Sequence, residues 1–473
     1  MPNLLPKTLI DSFAAIVGPA HALTDPVDIA PHTLEWRGLW HGTTSLVLKP
    51  GSTVEVAAIL KLAHASATPI IPQSGNTGLV GAQVPDESGR EVVLSLARMN
   101  KIRASDAEGY TLTAEAGVTL RAVQDAAEQV DRLFPLSLAS EGSCMVGGNL
   151  STNAGGVAVL SYGNARDMVL GLEVVLADGR VWNGLRALRK DNTGYDLKQL
   201  FIGGEGTLGV ITAAVLKLFP RPRERVTAFV GLDSPSKALS LFQTMRAAAG
   251  PSLTAFELLP RLAIEFALRH FPKHRDPLAG QHAWYVLMDL SGNSDDGTTR
   301  VLAERELGAA IETGIADDVV IAESIGQSKG FWAIREDLPE TQKSEGGSIK
   351  HDVSVPIARI PELIERGNAA VGKLMPDIRP LPFGHFGDGN LHYNMSQPVG
   401  MDKEVFLGRA AEISDAVYGL VTELGGSISA EHGIGRLKRE QLKGVKSPVE
   451  LDLMRLVKAA LDPKGILSPG RML

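Results

Sequence analysis

Residues 142–163 read GSCMVGGNLSTNAGGVAVLSYG, and what satisfies this stretch decides the kind of domain that carries it. It lies in an uncharged run, Gly142 to Ala165, long enough to span a bilayer. Six glycines, with Asn149, Ser151, Thr152 and Asn153, instead leave polar backbone that needs water or a ligand rather than lipid. Two double glycines beside hydroxyl and amide side chains suit an extended ligand lying along the main chain.

Upstream, the apolar spacing from Thr53 to Ala67 predicts a helix, and ATPIIPQ then reads as a buried strand entering SGNTGLVGAQ. The loop at 72–82, PQSGNTGLVGA, lets successive backbone N–H groups converge on an anion; taken alone it is equally an ordinary tight loop. Two such loops in one domain point to a large cofactor. Downstream, GEGTLG at 204–209 matches the Gly-x-Gly-x-x-Gly fingerprint, which in a nicotinamide site opens a helix. The following VITAAVLKL is β-branched and reads as strand, which argues against that site. Glycine is in excess, 50 residues against about 33 at average usage of about 7%, and it is concentrated between Gly142 and Gly209.

The 473 residues suffice for two or three domains. One cysteine, Cys144, excludes an intramolecular disulfide framework, argues against thiolate-bound metal, and fits a reducing compartment; it reads as a packing residue. Lys and Arg total 47 against 54 Asp and Glu, a net charge of -7 without acidic blocks, which favours small-molecule partners over nucleic acid. The start, MPNLLPKTLIDSF, has no basic segment followed by an apolar core, so no signal peptide or transmembrane segment is expected, and a cytoplasmic location is the expectation, peripheral to a membrane at most.

Strands are predicted at 92–96, 110–116, 226–232 and 283–290, and a hairpin over 172–182 turning at Asp178-Gly179. Helices are predicted at 119–130, 234–248, 298–312, 356–374, 403–423 and 449–461. Pro220 to Arg223 reads as a domain boundary, and 383–395, FGHFGDGNLHYNM, as two short strands around a Gly-Asp-Gly turn.

PQSGNTGLVGA, GGNLSTNAGG and IGGEGTLGVIT together resemble the FAD-binding domain of the vanillyl-alcohol oxidase/para-cresol methylhydroxylase superfamily. The later segments IREDLPETQKSEGGSIKHDVSVP, PFGHFGDGNLHYN, SAEHGIG and LDPKGILSPGRML resemble more narrowly its D-2-hydroxyacid dehydrogenases, above all those acting on D-2-hydroxyglutarate. The resemblance implies an α+β fold: a two-part FAD-binding domain at 1–222 with an N-terminal helical segment, an α+β substrate domain at 223–425, and a helical C-terminal segment at 426–473 that completes the active site.

It further implies that FAD is cradled by Pro72, Ser74, Gly75, Asn76, Thr77, Gly78 and Leu79 from the first loop. Gly142, Ser143, Gly147, Gly148, Ser151, Thr152, Asn153 and Gly156 would serve from the second, with Gly206, Gly209 and Ile211 near the adenine half. Some members attach FAD through a histidine of the first loop; that loop has none here, so non-covalent FAD is expected.

His385 and His392 stand seven apart, which is not a zinc-finger spacing, so spacing alone favours two hydrogen-bonded loop histidines over a metal pair. The resemblance makes them ligands of a divalent metal with Glu431, zinc by expectation and manganese or cobalt as alternatives. His432 becomes the general base, and Arg335, Lys350 and Asn394 the substrate contacts. Pro339 departs from the pattern, because the glutarate enzymes carry a hydroxyl there. The implied reaction is oxidation of a D-2-hydroxy acid, D-2-hydroxyglutarate to 2-oxoglutarate first. D-lactate dehydrogenase, a glycolate oxidase-like subunit, or a flavin electron carrier without its own alcohol substrate are the alternatives. An electron-transfer flavoprotein or quinone as acceptor and a homodimer are also implied.

Overall fold

The helix Thr53–Ser66 begins at Ser52, whose side chain accepts from the Glu55 N–H, and ends at Ala67 in the left-handed conformation. It connects two parallel strands of a mixed sheet ordered Ala22–Leu23, Val47–Leu48, Val92–Ser95, Ile70–Gln73. The computed structural model describes residues 5–473, which form two compact units.

The first unit comprises residues up to Gly155, Asn164–Arg221 and Glu431–Leu473. Its second sheet is antiparallel, ordered Ile102–Asp106, Thr111–Glu115, Val210–Lys217, Val169–Val175, Val181–Gly184. The run after GEGTLG is thus a strand, and the predicted hairpin turns through Gly179 at φ +87°. Thr119 caps the predicted helix, which runs Leu120–Gln129. The C-terminal residues return to the first sheet: the Ile70 N–H donates to the Ile466 carbonyl and the Ser468 N–H to the Ile70 carbonyl. Buried Arg471 pairs with Glu91.

The second unit comprises Gly156–Gly163 and Pro222–Ala430. Its first sheet is antiparallel, ordered Leu253–Pro260, Trp284–Gly292, Glu224–Leu232, Asp318–Ile321. Helices Pro235–Ala249 and Thr298–Glu312 make the connections, a split β-α-β arrangement. In its second sheet Asn390–Ser396 is central, with Arg379–Phe383 on one side and Ser348–Ile349 and Asp352–Ser354 on the other. Phe242, Phe256 and Phe386 pack edge to face and tilted in its core. The predicted helix 403–423 is two pieces, Lys403–Leu407 and Ala410–Glu423, parted at Gly408. Among the described residues no helix is long and apolar enough to cross a membrane.

Candidate functional site

In the first unit the glycine motifs pack against one another. A Cβ on Gly75 would lie 2.1 Å from the Ser143 carbonyl oxygen, and Gly206, at φ +72°, packs on Pro72. The double glycine Gly147-Gly148 is helical, within Val146–Ser151. There a Cβ on Gly147 would meet the Ala116 Cβ at 2.8 Å, and one on Gly148 the Ser74 Cβ at 3.2 Å. Glycine is what lets this short helix close on the first loop.

Several of the expected cofactor residues build this framework. Asn76, at φ +53°, donates from Nδ2 to the Pro31 and Leu34 carbonyls, while its buried Oδ1 has no protein partner. Gly78 packs on Gln83, and the Leu79 carbonyl accepts from Arg37. The Ser143 hydroxyl donates to the Ser140 carbonyl and that of Thr152 to the Gly148 carbonyl. The Ser151 carbonyl accepts from the Glu205 N–H, and Asn153, also at φ +53°, accepts the Arg166 N–H on Oδ1. Gly209 admits Val174 and Phe201 at close range, and Ile211 is buried in its strand. Gly142 has open space where a Cβ would be, Thr77 lies within the first loop, and Gly156 falls in the segment assigned to the second unit. Cys144 is buried, and burial pushes its thiol up, as a packing residue requires. Two loops in backbone contact, left-handed turns at 76, 153, 205 and 206, and the unpartnered Asn76 oxygen fit a non-covalent dinucleotide such as FAD.

The segment carrying Glu431 and His432 is anchored to the same framework. The Glu205 carboxylate accepts the N–H groups of Ile434 and Gly435, both at 2.7 Å, and the Val80 carbonyl accepts that of Arg436 at 2.9 Å. Burial pushes the Glu205 carboxyl up, against those two N–H groups. Gly435, at φ +52°, is required here, since a Cβ would stand 2.4 Å from the Val80 oxygen. A Cβ on Gly155 would lie 2.6 Å from the Glu431 Oε1, so this carboxylate rests on the second glycine loop. Sequence reasoning missed Glu205, although an acid inside GEGTLG was the available signal.

In the second unit Glu257, wholly buried on the strand Leu253–Pro260, joins two of the expected residues. Its Oε2 accepts from Arg335 Nε at 2.5 Å, and its Oε1 lies 2.6 Å from His385 Nδ1. Burial opposes its ionisation, but His385 and Arg335 outweigh that and hold the carboxyl at about 2. The His385 and His392 rings are 5.4 Å apart between centroids. Asp352 is the cross-strand partner of His392, and its Oδ1 accepts from Asn390.

Asn394 is committed to its neighbours: Nδ2 donates to Gln342 and Oδ1 accepts the His351 N–H. Lys350 is exposed in the turn between the strands 348–349 and 352–354. Pro339 occupies the first turn of the helix Leu338–Ser344, where a missing N–H costs nothing, and the Thr341 hydroxyl donates to the Leu338 carbonyl. The Ala430 N–H donates to the Asp352 carbonyl. Asp352 and His392 in the second unit, and Glu431 and His432 in the first, form the group whose side chains each offer one ligand atom for a metal ion. Asp352 was not anticipated, and His385 stands outside this group.

Residues 44–184 match the family model described as FAD binding domain, and residues 221–472 that described as FAD linked oxidases, C-terminal domain. The chain is 39% identical over 469 residues to D-2-hydroxyglutarate dehydrogenase, mitochondrial, of Bos taurus, covering 98% of this chain and 83% of that protein. It is 35% identical to D-2-hydroxyglutarate dehydrogenase of Stutzerimonas stutzeri, covering 98% of both. A solved structure of p-cresol methylhydroxylase with substrate bound superposes with a TM-score of 0.77 at 18% identity, over 99% of this chain and 98% of that one.

The expectation of a cytoplasmic location is corrected by these relatives, since the plant and vertebrate proteins are named as mitochondrial. A single cysteine is compatible with any reducing compartment, and composition does not separate one such compartment from another. The chain belongs to the FAD-linked oxidases of the vanillyl-alcohol oxidase/para-cresol methylhydroxylase superfamily, closely related to the D-2-hydroxyglutarate dehydrogenases.

Proposed function

We propose that this chain oxidises D-2-hydroxyglutarate to 2-oxoglutarate using non-covalent FAD and a divalent metal, zinc in the first instance. The observation that carries the reading is the seat of Glu431 on Gly155, which sets a metal-capable carboxylate and the adjacent His432 against the flavin loop. Identity of 35–39% to the named dehydrogenases along nearly the whole chain supports the substrate class.

His385, His392 and Glu431 would hold the metal, with Asp352 beside His392; the metal would supply Lewis acidity toward the 2-hydroxyl and its carboxylate. Bound FAD supplies the two-electron acceptor for the hydride from C2. His432 accepts the hydroxyl proton, since an imidazole nitrogen can act as general base toward an alcohol. Arg335 and Lys350 hold the distal carboxylate, a guanidinium fork and an ammonium suiting that anion. Asn394 reaches substrate by exchanging its bond to Gln342 or His351. The chain works as a homodimer and passes electrons to an electron-transfer flavoprotein or a quinone.

Oxidation of D-lactate is the second reading. Pro339 offers no donor for a distal carboxylate and the Thr341 hydroxyl is spent on Leu338, which reduces the grip on a dicarboxylate. Dialysis against a chelator should abolish dye-linked oxidation of D-2-hydroxyglutarate, and added zinc or manganese should restore it. Full activity of metal-free protein would refute the metal's role.

A further inference from the structure

We propose that Glu257 is a positioning residue whose two carboxylate oxygens orient His385 and Arg335 at once, an inference that rests on the roles proposed above for those two side chains. The carboxylate sits on a strand whose eight residues are all buried. Neutralising it there required only one cation, yet each oxygen serves a different partner: Oε1 to His385 Nδ1 at 2.6 Å and Oε2 to Arg335 Nε at 2.5 Å.

The consequences differ for the two partners. To donate to a carboxylate, His385 carries its hydrogen on Nδ1, so that Nε2, which stands 3.5 Å from an Arg335 terminal nitrogen, is the ring atom turned away from Glu257 and the one that would face a metal. With Nε committed, the plane of the Arg335 guanidinium is set, and the Phe383 ring, 5.0 Å from its central carbon, supports the same orientation. That fixes where its terminal nitrogens point toward an anion. The backbone reinforces the arrangement, since Leu258 and Gly384 exchange N–H to carbonyl bonds of 2.9 and 3.0 Å. The residue after Glu257 and the residue before His385 are therefore pinned together. Arg335 arrives from the helix Ile325–Glu336, so a single acid ties a helix and a turn to one strand.

The test uses the FAD-loaded holoenzyme of Glu257→Gln, with Glu257→Asp as the variant that keeps the charge but shortens the reach. Measured are metal retained after dialysis against graded chelator, and kcat and KM for D-2-hydroxyglutarate and D-lactate. An amide cannot accept from both partners, so Glu257→Gln should weaken metal retention about 10–100-fold. It should also raise KM for D-2-hydroxyglutarate about tenfold, with little change in KM for D-lactate, which has no distal carboxylate. Glu257→Asp should fall between it and the unsubstituted enzyme, and serves alone if the glutamine variant does not fold.

His385→Ala and Arg335→Lys, measured alongside, separate this proposal from the reading beneath it. If they impair metal retention and dicarboxylate KM respectively while folded Glu257 variants leave both unchanged, Glu257 is structural and the proposal falls alone. If His385→Ala keeps its metal and Arg335→Lys keeps its KM, the roles assigned to those residues fall and the proposal with them.

Discussion

His432 is the side chain on which the proposed proton transfer depends, and its place is fixed by neighbours. The turn that follows it is held by Glu205 through two backbone N–H groups and by the Val80 carbonyl through a third. His432→Ala should slow flavin reduction about 100-fold or more without loss of bound FAD, as followed by stopped-flow absorbance. A rate near that of the unsubstituted enzyme would remove His432 from the chemistry. At this scale legibility was uneven. Glu431 and His432 stood out through the resemblance of SAEHGIG to the hydroxyacid dehydrogenases. Glu257 did not, because an acid in the apolar run LTAFELLP makes sense only with its partners, and these lie 78 and 128 residues away. Asp352 likewise acquires meaning only from the register that pairs it with His392.

Between elements, Glu345 is a second, half-buried junction in the second unit. It binds Arg269 and His270 from the last turn of the helix Arg261–His270, and Arg379 from the start of the strand Arg379–Phe383. Burial disfavours its charge, but hydrogen bonds from Arg379, His270 and Arg269 prevail and hold the carboxyl at about 2. Its folded value is thus below the unfolded value of about 4.3, so its stabilisation is fully present above that pH and is lost as pH falls toward 2. Glu345→Gln should cost about 2 kcal/mol in urea unfolding at pH 7, and the deficit should shrink steadily below about pH 4.5. A deficit independent of pH would contradict the ionic account. Element types were largely legible from periodicity, and the exceptions have physical causes. Gly147 and Gly148 form part of a helix because Ala116 and Ser74 crowd that face, a long-range fact invisible to local composition. The helix expected over 403–423 parts at Gly408, a residue that weakens helix interiors.

Across the whole molecule, the chain returns at Glu431 to the unit it left at Pro222, and this return brings Glu431 against Gly155 of the second glycine loop. The α+β flavoprotein architecture was legible because several glycine motifs occur in the order the superfamily uses. The compartment was not, because composition does not distinguish one reducing environment from another. The central claim is that these parts serve one reaction, transfer of hydride from a D-2-hydroxy acid to bound flavin. Its most direct test is anaerobic mixing of the yellow holoenzyme with D-2-hydroxyglutarate, L-2-hydroxyglutarate and D-lactate, followed at the flavin absorbance band. The account predicts rapid bleaching by D-2-hydroxyglutarate and none by its L enantiomer. Bleaching by D-lactate alone, or by no hydroxy acid, would contradict it.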